Sequence, residues 1–306
     1  MAEKQLSVAG ALTLRLLKEH PSPIVTTYDL GVEILKLYLA REYSGQKIKK
    51  LSSPLPERSS ISRYRNALME LGILEERRGL PADTYILPSS PHQDDMNLAC
   101  GIDPFCYVSH LSAMAYHGLT DRFSKTLFLT TLPSTPWRKR AEEKMHRDLG
   151  DALEKFREIH FPTPTRHTLS AIGRQPVNTH VSKYADAGAY VHLSDRPTRV
   201  SSIGRTFLDM LRQADLCGGM IHVVRVFEST ASTYLPLIVS EIDRHGTAID
   251  KVRAGYILDE RCGIHDARVE QWHTLAQRGG SRVLDASAPF WPEFSEKWCL
   301  SINTNL

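Results

Sequence analysis

The stretch PERSSISRYRNALMELGILEERRGLPADTYIL, residues 56–87, decides the reading of this chain. Ser59 or Ser60 can cap a helix in which Ile61, Tyr64, Leu68 and Leu71 recur at helical spacing, and Gly72 closes it. The segments ILEERR and TYIL then flank a turn at Gly79-Leu80-Pro81-Ala82-Asp83, which predicts a hairpin with Arg77 and Arg78 at its tip. The other face of the helix carries Ser60, Ser62, Arg63, Arg65 and Asn66, side chains suited to base edges and phosphates. A polar helix beside a basic hairpin is the geometry that reads one DNA groove and braces on neighbouring phosphates.

Working outward, two more helices precede it. Leu6, Ala9, Leu12, Leu16 and Leu17 form one stripe over residues 5–19, stopped by His20-Pro21. After an extended IVTT, Asp29 can cap a second helix with Val32, Leu35 and Leu39 facing inward. Lys47, Lys49 and Lys50 follow in a loop or helix edge, placed to grip phosphates. The expectation for residues 1–90 is therefore a winged helix-turn-helix. Charge agrees: residues 41–78 hold nine basic and five acidic side chains, while the chain as a whole is only +3.

At 306 residues the chain has room for a second domain. The polar, proline-punctuated LPSSPHQDDM at 87–96 is the expected linker, and residues 97–306 the expected mixed α/β domain with a helical region late in the chain. There Ser109 can cap a helix over 109–118, KTLFLTT reads as a strand, and Pro136 starts a charged helix running to about Phe156. REIHF and PVNTHVSK read as strands, the segments from Ile203 as successive helices, and SRVLD and KWCLSIN as short final strands. The fold class expected is α+β.

A second basic cluster spans residues 122–147: Arg122, Lys125, Arg138, Lys139, Arg140, Lys144 and Arg147, with Trp137 beside it. Arg138, Lys139, Arg140 and Lys144 form either an auxiliary phosphate-binding surface or a solvated helix face.

Catalytic patterns are missing: no G-x-S-x-G, H-E-x-x-H, P-loop or G-x-G-x-x-G occurs. Cys100, Cys106, His110 and His117 have spacing unlike structural zinc sites and are expected in core or capping roles. Arg205 and Asp209, four apart, are expected as an ion pair. We expect no enzymatic activity, cofactor or metal. Five cysteines among aliphatic neighbours suit a reduced cytoplasm, and no apolar run is long enough to span a membrane.

Two blocks carry a family resemblance. YVSHLSAMAYHGLTDR (107–122) with the following KTLFLTT, and IGRTFLDMLRQADLCGGMIHVVRVFE (203–228), resemble the AbiEi-type antitoxins of bacterial type IV toxin–antitoxin systems. The second block resembles that family's R-T-x-x-D-x-L … P-x-x-C-G-G region, with Ala214 where the pattern has proline. The resemblance implies a winged helix-turn-helix followed by an antitoxin domain. It also implies a repressor that binds inverted repeats in its own promoter, double-stranded DNA, often cooperatively. A phage-defence role follows from it too: opposing a co-encoded nucleotidyltransferase toxin without a stable complex. Inverted repeats allow a homodimer. The N-terminal part here has a longer lead-in and a proline-rich loop before the third helix. Two other readings stand beside this one: an interaction protein working through its C-terminal helical region, and an enzyme acting on nucleic acid.

Overall fold

A computed structural model describes residues 6–49, 51, 53–185, 189–277 and 282–305, and shows a mixed α and β protein. The chain opens with α1 (Val8–Glu19), β1 (Ile24–Thr26), α2 (Thr27–Ala40), a hairpin of β2 (Glu42–Tyr43) and β3 (Gln46–Lys47), α3 (Ser60–Glu70), β4 (Thr84–Ile86) and α4 (Asp95–Ile102). Next come β5 (Tyr107–Val108), α5 (His110–Tyr116), β6 (Leu127–Thr131), α6 (Ser134–Leu149), α7 (Leu153–Glu158), β7 (Ala171–Ile172) and β8 (Gln175–Val181). The last third holds β9 (Tyr190–His192), β10 (Arg199–Ser201), α8 (Ile203–Arg212), α9 (Met220–His245), α10 (Ala248–Tyr256), α11 (Ala267–Trp272), β11 (Phe294–Ser295) and β12 (Leu300–Ser301).

Two compact units result. The first takes the described residues of 1–106, 131–184 and 192–198, and the second those of 107–130, 185–191 and 199–306. This division differs from a boundary at 87–96. In the first unit, Leu12 and Leu16 of α1, Leu30, Ile34 and Leu37 of α2, and Ile61 and Leu68 of α3 share one core with Met145, Leu149, Leu153 and Phe156 of α6 and α7. Tyr28 on α2 also donates a 2.8 Å hydrogen bond to Asp148 on α6. The three N-terminal helices therefore do not close their core alone. Residues 87–96 are held as well: the Gln93 amide donates to the carbonyls of Pro88 and Ser90, and Asp94 caps α4.

In the second unit β5 runs antiparallel to β6, with Tyr107 opposite Thr130, and parallel to β10, with Val200 opposite Val108, so the sheet is mixed. Its core joins Phe207, Leu208 and Leu211 of α8 to Val223, Phe227, Ile238 and Ile242 of α9, with Val252, Ile257 and Trp298.

Several elements differ from expectation for local reasons. Thr26, not Asp29, caps α2; Asp29 sits at the third helical position and bonds back to the Thr26 nitrogen, completing a capping box. REIHF is the end of α7 and not a strand: the helix runs to Glu158 and His160 turns at φ +58°. The late helical segments around Pro236 are one 26-residue helix, α9. A proline there removes one backbone bond, yet both halves are anchored, by Val223 and Phe227 before it and Val239 and Ile242 after it. Among the described residues of SRVLD, 282–285, Val283 forms an isolated bridge to Ser301. Among the described residues, no helix is long and apolar enough to cross a membrane.

Candidate nucleic-acid interface

Helix α3 is positioned by its apolar side. Ile61 and Leu68 are buried with α1 and α2, which turns Ser62, Arg63, Asn66 and Glu70 outward. Behind it, β1 and β4 pair antiparallel, with Val25 opposite Tyr85. Glu75 adds a bridge on the other edge of β4, exchanging backbone hydrogen bonds with Ile86 at 3.0 and 2.8 Å. The intervening loop carries Arg77 and Arg78, both exposed, and Arg77 Nη2 donates to Gln93 Oε1 at 3.0 Å.

The polar side chains of α3 hold one another. Arg63 Nη2 donates to the hydroxyls of Tyr38 and Tyr64, each at 3.2 Å, and to Ser60 Oγ at 3.3 Å. Its guanidinium carbon lies 4.7 Å from the centre of the Tyr64 ring. Partial burial would lower the Arg63 pKa, but the two tyrosines outweigh it and the net shift is upward. The Tyr64 hydroxyl is pushed up to about 12, by burial first and then by its bond with Tyr38. Arg63 is thus a permanent cation with a defined direction.

Arg65 donates from Nε and Nη2 to Asn66 Oδ1, at 3.0 and 2.8 Å, and reaches Tyr85 Oη at 3.5 Å. A bidentate contact from Asn to adenine uses the amide oxygen as well as the nitrogen, so Asn66 has to release Arg65 to make one.

Not every expected residue lies on this face. Ser60 is 1% exposed; its Oγ accepts from the Glu57 nitrogen at 3.2 Å and pins the helix start. It is a structural residue and not a base contact. Lys47 lies in β3, in place of a loop or helix edge, and Lys49 follows it; both are exposed, flanking buried Ile48. Lys50 lies outside the described residues. Tyr38 is the residue that sequence reasoning missed. It sits between two leucines in α2, and nothing in that pattern shows its hydroxyl meeting α3.

The second basic cluster is smaller than its sequence. On α6, Arg138 and Lys139 are exposed and Arg140 half-buried. Lys144 instead pairs with Asp148 at 2.6 Å and lies 5.2 Å from the Tyr28 ring centre. Trp137 is buried, its indole donating to Asp103 at 2.9 Å. Arg122 and Lys125 belong to the other unit.

In the second unit Arg205 and Asp209 do form the expected ion pair, at 3.2 Å, and Arg205 also meets Glu241 at 3.1 Å. Burial raises the Asp209 carboxyl to about 6 despite Arg205 and Arg212 beside it. His117 Nε2 is bonded to the Ser201 carbonyl at 2.7 Å, and its burial lowers its pKa. His110 Nδ1 is bonded to Ser109 Oγ at 2.8 Å. Among the described residues, no three His, Cys, Asp or Glu side chains converge as a metal site.

No protein family and no curated protein matches this chain. Among solved structures, it is similar to the crystal structure of the RV2827C protein from Mycobacterium tuberculosis, at 12% identity and a TM-score of 0.49, covering 97% of this chain and 92% of that one. At that distance no activity passes from one chain to the other.

Proposed function

We propose that the N-terminal part of the first unit is a winged helix-turn-helix that binds double-stranded DNA, and that the protein is a cytoplasmic transcriptional repressor. One observation carries the reading: the order α1, β1, α2, α3, Glu75 bridge, β4. It sets the outward face of Ser62, Arg63 and Asn66 in the same unit as the loop of Arg77 and Arg78. In such folds the last helix enters the major groove and the wing meets the flanking backbone. Lys47 and Lys49 then supply phosphate contacts, and Arg138, Lys139 and Arg140 an auxiliary one.

The antitoxin half of the proposal rests on the resemblance of residues 107–122 and 203–228 to AbiEi-type proteins. On that reading the chain represses its own promoter at inverted repeats, as a pair of copies, and opposes a nucleotidyltransferase toxin without holding it in a stable complex. The DNA half is tested by replacing Arg63 and Arg65 together with alanine. Binding to a preferred duplex falls and base preference relaxes; binding equal to wild type overturns the recognition-helix assignment.

One observation favours a second reading, an interaction protein acting through its C-terminal helical region, to which an aromatic loop is bonded by Ser295 Oγ donating to Glu260 at 2.7 Å. Phe290, Trp291 and Phe294 are 53%, 59% and 42% exposed. The loop bearing them is pinned by Trp291 N donating to Ser301 Oγ and by Asn303 Nδ2 donating to the carbonyls of Ala288 and Pro289. A stable complex with a neighbouring gene product, alongside weak and salt-insensitive DNA binding, would favour it.

A further inference from the structure

The loop after α5 holds Phe123 with 93% of its surface exposed, between Arg122 and Lys125. A lone exposed apolar residue needs no explanation; this one is flanked in sequence by Arg122 and Lys125, and its loop is tied to the helix α9 that carries Arg225. The Arg122 nitrogen donates to Thr120 Oγ1 at 3.1 Å, and its Nη1 donates to the Gly218 carbonyl at 3.1 Å. The Thr120 hydroxyl in turn bonds His222 Nε2 at 2.9 Å, so the loop is tied to the first turn of α9.

Gly218 has φ +89°, and a Cβ there would lie 3.0 Å from both Arg122 Nη1 and His222 Cδ2. Glycine leaves room for the guanidinium and the imidazole over the turn. Burial lowers the His222 pKa, and so do the fields of Arg122 and Arg225. Arg225 is exposed, and Ile221 beside it is 41% exposed. Three acids lie close in sequence: Glu228 is paired with Arg261 at 2.9 Å, Asp215 accepts from Ser287 Oγ at 3.0 Å, and Asp121 is exposed.

We propose that Arg122, Phe123 and Arg225 form a single-stranded nucleic-acid contact on the second unit, with an unstacked base on the Phe123 ring and phosphates on the two arginines. Cations on the same loop and on the helix it is bonded to favour a polyanion, and a ring so exposed offers its face to a base. Duplex bases are already stacked on one another, so the single strand is the form that gains. This contact is separate from the proposed duplex interface, which lies on the other unit.

The test is fluorescence anisotropy of the full-length chain with labelled oligothymidylate and oligouridylate of about 12 nucleotides, at about 50 and 200 mM salt. Wild type binds at the lower salt and weakens at the higher. Phe123→Ala lowers affinity by about 5- to 100-fold, and Phe123→Tyr restores it. Arg122→Gln with Arg225→Gln lowers affinity and flattens the salt dependence, while the Arg63/Arg65 double alanine variant still binds the single strand. Equal binding by wild type and Phe123→Ala overturns the proposal. So does loss in the Arg63/Arg65 variant alone, which would place single-strand binding on the first unit. Displacement by polyglutamate as effectively as by the oligonucleotide would also overturn it, in favour of an acidic peptide.

Discussion

Gly255→Ala in α10 is the sharpest test of how the second unit is packed. An added Cβ would lie 2.2 Å from Cη2 and Cζ3 of Trp298. Carbon atoms in contact sit about 3.5–4.0 Å apart, so the ring or the helix has to move by more than 1 Å or so. Trp298 is fully buried, and its indole nitrogen donates to Asp259 Oδ2 at 3.1 Å, an oxygen that also meets Lys297 at 2.8 Å. Movement therefore strains or breaks a hydrogen bond to a charged group. Overpacking costs about 1–3 kcal/mol and the lost bond about 1.5–3, while alanine returns about 1 through helix propensity. The net expectation is a loss of about 2–5 kcal/mol. Urea unfolding of the full chain, followed by circular dichroism and tryptophan emission, measures it. Two units can unfold in separate steps, and only the step belonging to the second unit should shift. Trp298→Leu in the same chain should make the alanine cheaper than the sum of the two changes. A Gly255→Ala protein within about 0.5 kcal/mol of wild type, the range of ordinary surface changes, refutes the packing argument.

Further predictions concern charge and burial. Lys49→Ala, on an exposed lysine, should weaken binding to every duplex alike and reduce the salt slope by about one; a change confined to one sequence would contradict a phosphate role. Asp209 titrates near 6 in the fold against an ordinary 3.8. The folded state therefore holds the extra proton between these values, and this group's contribution to stability falls as pH rises through them, by about 3 kcal/mol in full. Asp209→Asn should flatten that part of the pH–stability curve, and an unchanged slope between pH 4 and about 6 would reject the assignment. Trp137→Phe removes the donor to buried Asp103 and should cost about 1–3 kcal/mol in unfolding experiments, whereas a neutral result would deny the bond its role.

Local signals in the sequence were strong where one helix decides its own faces. The stripes of α1 and α3 follow from residue spacing, except that Leu17 and Leu71 at their ends are exposed. Proposals about the outward residues Ser62, Arg63 and Asn66 follow from the same stripe. What spacing cannot carry is the partner of each face. Residues 136–156 read as one charged helix; the chain breaks at Gly150 into α6 and α7, and only the fold brings Met145, Leu149, Leu153 and Phe156 to α2. The same limit hides the Tyr38–Tyr64–Arg63 cluster, since its members come from two helices. Ser60 shows the opposite case: a residue one step from the exposed face is turned inward to serve the helix start. Lys144 and Trp137 were drawn into a basic surface by proximity in sequence, and Asp148 and Asp103 claim them in the fold. The helical segments 218–228 and 233–246 read as separate, yet they join through residues 229–232 into the single helix α9, anchored by burial at both ends.

The central claim is that the face of α3 reads DNA. It is tested most directly by titrating purified full-length protein into labelled duplex from upstream of its own gene, against scrambled duplex of equal length, at low and high salt. The account predicts tight binding that prefers the upstream sequence, weakens with salt, and is lost with Arg63 and Arg65. No preference at either salt would contradict it and leave α3 and the loop of Arg77 and Arg78 as scaffold.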